Sequence, residues 1–136
     1  MKKKNIFVFV LSALALFLEA LPYGAVLVFA EPTGEGSRHL YSYFDLVPFG
    51  YANFAPLICA ILTVIIFILS AICLFFGAKN LLGTVFGLSL AATLISVAPP
   101  LLFGVRFFSL VGGAISLLLA AVCLISFTER RTQNEK

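Results

Sequence analysis

Glu19 is the residue with a chemical question attached. It is the only acidic or basic side chain well inside an apolar stretch, thirteen residues past Ile6. At 1.5 Å per residue that is about 20 Å along a helix. A carboxylate at such depth in a bilayer costs roughly 2.5–3.5 kcal/mol on insertion scales, so the group must face other helices, carry a proton or reach water. Two chemistries follow. A protonated carboxyl can donate one hydrogen bond to a hydroxyl or carbonyl inside a packed bundle. A carboxylate facing a water-filled pocket can instead exchange protons, with Pro22 and Gly24 just beyond it loosening the helix. No second intramembrane charge or polar pathway accompanies it, which favours the packed carboxyl and leaves Glu19 as a proton-exchange candidate.

Other reactive types form no set. A catalytic site needs a nucleophile, a base and an orienting group brought together, and the chain has one histidine, His39. Glu31, Glu35 and His39 recur every four residues, but Pro32, Gly34 and Gly36 interrupt any helix that would align them. No metal, no cofactor and no enzyme activity are expected. Cys59, Cys73 and Cys123 fall in apolar runs as small packing residues, without a CxxC pair. Cys73 and Cys123 share a depth and would touch if their helices were neighbours.

The elements that must position Glu19 are plain from composition. The chain of 136 residues is 62% hydrophobic and 11% charged, against about 25% charged in soluble domains. A water-soluble fold is excluded. Four continuous apolar runs, 6–30, 52–77, 81–98 and 107–127, each approach or exceed the roughly 20 residues that cross a bilayer. Continuous rather than alternating apolarity means helices, not barrel strands. The reading is an all-α integral membrane protein, a single domain over 1–136, built as a four-transmembrane-helix bundle with one longer extracellular loop at 31–51. The link Ala78–Asn80 makes a tight hairpin, and Pro99 and Pro100 end or kink the third span.

Basic residues set orientation. Lys2, Lys3, Lys4, Lys79, Arg130, Arg131 and Lys136 fall on one side, and Arg38 and Arg106 on the other. The positive-inside bias puts both termini in the cytoplasm of a multi-pass plasma-membrane protein. The net charge of +3 is thus a topology signal, and no nucleic-acid partner is expected. A signal peptide cleaved after Val28-Phe29-Ala30 is the competing reading of the first run, whose apolar stretch exceeds the usual signal core of about 7–15 residues. Tyr23, Tyr41, Tyr43 and Tyr51, with Phe44, Phe49 and Phe54, make an aromatic set at the outer boundary, the depth at which such rings anchor.

Each span carries a small or polar stripe. They are Ser12, Ala15, Glu19 and Tyr23; Pro56, Cys59, Thr63 and Ser70; Gly83, Gly87 and Ala91 beside Ser89, Thr93 and Ser96; and Gly112 and Gly113 with Ser109 and Ser116. Such ridges let helix backbones approach closely, which makes Gly83, Gly87, Ala91, Gly112 and Gly113 the helix-packing candidates.

The stretches LPYGAVLVFAEP (21–32) and YSYFDLVPFGYANFAPL (41–57) resemble small four-helix membrane proteins of Gram-positive bacteria. That resemblance implies a cell-membrane location and carries no activity. The small multidrug resistance transporters likewise have four helices and a first-helix glutamate, matched by Glu19, but this chain has a longer outer loop and no tryptophan. Claudin-like proteins share the helix count, yet their paired loop cysteines are missing. The function expected is therefore a non-catalytic membrane component that pairs with itself or a membrane protein partner in the lipid bilayer. The alternative is a proton-coupled transporter of small molecules using Glu19.

Overall fold

A computed structural model describes residues 2–32, 34 and 36–134. Helix makes up 74% of the chain, and the remainder includes a sheet that an all-α reading does not foresee. The elements run α1 (Lys2–Ala20), β1 (Ala25–Phe29), β2 (Ser37–Tyr41), α2 (Leu46–Gly50), α3 (Ala55–Phe75), α4 (Leu82–Phe103) and α5 (Leu110–Asn134). Three stretches, Ala55–Phe75, Leu82–Phe103 and Leu110–Thr132, are long and apolar enough to cross a membrane.

The apolar run 6–30 is not one helix. It ends as helix at Ala20 and resumes as strand at Ala25. Pro22 has no N–H to continue the ladder and disfavours helical backbone at Leu21 before it. The chain turns there, with the Leu21 amide on the Leu18 carbonyl and the Tyr23 amide on the Leu21 carbonyl. Val26 and Val28 then suit an extended strand. β1 pairs antiparallel with β2, Ala25 opposite Tyr41 and Phe29 opposite Ser37. The stretch 31–51 is therefore not a plain loop: half of a hairpin and the short helix α2 lie in it.

At the other end of the molecule, α3 stops at Phe75, and Gly77 takes the left-handed conformation (φ 66°) that commonly closes a helix. A single 3-10 turn at Lys79–Leu81 leads into α4, matching the tight hairpin expected there. Pro99 and Pro100 lie inside α4, which continues to Phe103 rather than ending at residue 98. Another 3-10 turn, Val105–Phe107, precedes α5. α5 begins three residues later than the expected start at 107 and runs past 127 to Asn134, so residues 128–134 are helix rather than a tail.

The long helices pack as a ring: α1 against α3 and α5, and α4 against α3 and α5. Cys73 and Cys123 consequently stand on diagonal helices, and all three cysteines are free. The core of this ring holds Val8, Ala15, Cys59, Ala60, Ile66, Val85, Ala92, Ile115, Leu119 and Val122. Ala15 and Ala60 let the backbones close in, while Ile66, Ile115 and Leu119 fill the centre.

Candidate ligand cleft and buried carboxyl

Glu19 sits in the last turn of α1, yet it is fully buried at 0% exposure. The hairpin and the chain after it explain this. The Tyr43 amide donates to the Glu19 carbonyl at 3.0 Å and the Ser42 hydroxyl donates to it at 2.9 Å. These bonds satisfy a helix-end acceptor that would otherwise face apolar surroundings. Ser42 is itself fixed by its amide bond to Asp45 Oδ2 at 2.9 Å.

The two polar stripes of α1 and α3 meet. Thr63 Oγ1 donates to Glu19 Oε1 at 2.8 Å and also lies 2.9 Å from the Cys59 carbonyl. The single hydroxyl proton is shared between these two acceptors, and the Cys59 carbonyl is also the helical acceptor four residues before Thr63 in α3. Cys59 Sγ lies 3.7 Å from the same Oε1 and 3.6 Å from the Ala92 carbonyl. Glu19 Oε2 has no partner among the described residues. Further along the seam Ser12 and Ser70 are 3.3 Å apart.

Beyond Cys59, which also touches Ser96, a cleft of about 650 Å³ opens between the outer halves of α4 and α5. Tyr43, Ser96, Pro99, Phe108, Ser109 and Ser116 are among its walls. Tyr43 was expected at the membrane boundary with the other tyrosines, but it is only 4% exposed and plugs the outer end of the bundle. Gly24 makes room for it, since a Cβ there would lie 2.9 Å from the ring. Burial pushes the Tyr43 phenol well above its ordinary range, so it stays a neutral hydroxyl. Tyr23 and Tyr51 are exposed, as a boundary position requires.

The packing candidates divide. Gly112 is a true close approach: a Cβ would lie 3.0 Å from the Gly24 carbonyl oxygen and 2.8 Å from Ser109 Oγ. Gly113 packs against the Phe108 ring, and a Cβ there would clash with it at 2.9 Å. Gly83 meets only the Arg130 side chain at ordinary distance, and Gly87 has nothing within 4 Å. Ala91 is half-buried. The face of α4 turned into the ring is the neighbouring strip Val85, Ser89, Ala92 and Ser96.

His39 and Glu31 lie in or near the hairpin, where β2 is extended; Glu35 is outside the described residues. Among the described residues no cluster of metal-ligating side chains occurs. One buried acid escaped the sequence reading. Glu129 is 2% exposed and pairs with Lys4 at 3.7 Å. Its signal was periodicity: Ile115, Leu119, Val122, Ser126 and Glu129 continue one helix face, and all five are buried.

No protein-family model, no curated protein and no solved structure matches the chain. The fold and the cleft define its class: a mostly helical protein with three helices able to cross a membrane, capped by a small hairpin.

Proposed function

We propose that α1 also spans the bilayer, giving a four-span protein of the cell membrane with both termini in the cytoplasm. Its role is non-catalytic: the bundle engages a second copy of itself or another membrane protein. The observation that carries this reading is the sorting of side chains on the long helices. Polar groups turn inward, with Ser12, Glu19, Thr63, Ser70 and Ser89 buried, while Phe7, Phe17, Ile61, Ile68, Leu94, Leu117 and Leu124 are exposed. A water-facing bundle would have the reverse pattern. α1 follows the same rule: its apolar part, Ile6 to Ala20, extends about 22 Å, with the lysine-rich first turn left for the headgroups.

Orientation is supported by the ends of the helices. The Lys4–Glu129 pair joins the start of α1 to the end of α5, so the basic clusters at 2–4 and 130–131 share one end. Arg38 and Arg106 line a common hollow at the other end, as the positive-inside rule asks. Engagement of a partner is supported by Gly87, an outward glycine with open space before it. Gly87→Leu should lower the oligomer mass measured by light scattering in mild detergent. An unchanged mass would remove that face from consideration.

The transporter reading retains one favouring observation, the Glu19 carboxyl, whose Oε2 has no partner among the described residues while its Oε1 meets Thr63 and Cys59. Under it, Glu19→Gln abolishes substrate-driven proton movement in proteoliposomes while the protein still folds. Preserved flux would exclude Glu19 as the carrier.

A further inference from the structure

We infer that the cleft between α4 and α5 is a binding site for a neutral lipophilic alcohol, an apolar chain ending in a free hydroxyl that donates to the Ser96–Ser116 wall. The argument is a count of hydrogens. Ser116 Oγ donates to the Gly112 carbonyl at 2.9 Å. Ser96 Oγ, 2.7 Å from Ser116 Oγ, must then be the donor of that contact. Tyr43 must donate in turn to Ser96, 3.4 Å away. Thr93 donates to the Ser89 carbonyl at 2.7 Å and Ser109 to the Gly24 carbonyl at 2.7 Å. Every hydroxyl proton on the wall is engaged, while lone pairs remain.

The backbone adds to this imbalance. Pro99 and Pro100 lie within α4 and line the cleft. Lacking N–H groups, they deprive the Ile95 and Ser96 carbonyls of their usual helical donors. The donors left over are the second amide hydrogen of Asn53, whose first is on the Val26 carbonyl, and the opening amides of α5 beside exposed Leu110. The inner wall therefore offers acceptors, and an occupant must bring the hydrogen. A carboxylate or phosphate brings none.

Charge and volume narrow the class further. Arg38 and Arg106 stand together just beyond Phe107 and Phe108, with Arg38 donating to the Phe108 carbonyl. Two guanidinium groups beside the cleft disfavour an ammonium headgroup. The lining is otherwise apolar, with Val97, Leu101, Leu110 and Leu117, and the volume of about 650 Å³ falls in the range of small-molecule sites, about 300–1,000 Å³. Leu101, Leu110 and Leu117 are exposed, so the mouth opens sideways. The proposed membrane setting supplies the route of entry, but binding itself does not depend on it.

The test uses the full chain in mild detergent with three chain-diazirine photoprobes of equal length: dodecanol, dodecylamine and dodecanoate. Crosslinked residues are mapped by peptide mass spectrometry. The expected result is dodecanol attached to the α4–α5 wall around Val97 and Leu117, with labelling blocked by Ala114→Phe, which fills the cleft. Dodecanoate should label that wall about tenfold less, the factor for one hydrogen bond to the headgroup. Equal labelling by dodecanoate, or its crosslinking beside Arg106, would overturn the proposal, as would a preference for dodecylamine. Labelling spread over Leu90 and Leu94 and indifferent to Ala114→Phe would show mere coating by detergent-like chains. No labelling, with Ala114→Phe changing the oligomer mass, would mean that a second copy covers the cleft.

Discussion

Glu19 shows how little a residue's position in sequence says about its surroundings. It lies one residue from the end of α1, where a carboxylate would ordinarily find headgroups and water. Here the Ser42 hydroxyl and the Tyr43 amide close over its carbonyl and Thr63 reaches its carboxyl from α3. Its stability role follows from that geometry. Glu19→Gln keeps an acceptor for Thr63 and nearly the same volume, so thermal unfolding in detergent should be little changed. Glu19→Ala leaves a void in the packed seam, and should cost about 2–4 kcal/mol. Equal stability of the two variants would show that the carboxyl is not part of the packing.

At the scale of elements, the hairpin and its neighbours matter most. Gly24 precedes β1 and faces the ring of Tyr43, while Gly112 on α5 approaches the Gly24 carbonyl. Gly24 leaves room for the Tyr43 ring, and Gly112 leaves room for the Gly24 carbonyl beside it. Gly24→Ala should displace the ring and lower stability by about 1–3 kcal/mol, the usual cost of overpacking. Gly87→Ala is the natural control: with nothing within 4 Å it should be neutral, or slightly stabilising through better helix propensity. Melting curves of the two variants separate a close approach from an open ridge. The small-residue spacing in α4 and α5 looks alike in sequence, yet only the α5 pair is enclosed by neighbours. Spacing identifies a face, and the partner element decides whether that face is packed.

For the whole molecule, orientation is the property to check. The native cysteines are all buried, so single cysteines can be added against a quiet background. His39→Cys, on exposed β2, should react in intact cells with a membrane-impermeant maleimide, and Thr132→Cys only after permeabilisation. Thr132→Cys reacting in intact cells would reverse or break the proposed topology. Buried Glu129 pairs with Lys4 and ties the start of α1 to the end of α5, so the two added cysteines report on opposite ends of one bundle.

The three apolar runs that became α3, α4 and α5, and the inward stripes of α1 and α3, were readable from the chain, because each depends on local composition or helical period. Ser12, Ala15, Glu19, Cys59, Thr63 and Ser70 are buried where that period puts them. Three things were decided only by tertiary structure. Residues 25–29 became a strand because a partner, 37–41, was near enough to pair with them, and apolarity alone does not separate strand from helix. Tyr43 left the boundary because Gly24 and Gly112 opened a place for it. The cleft arose where α4, α5 and the plug meet, and no single segment encodes a space between elements.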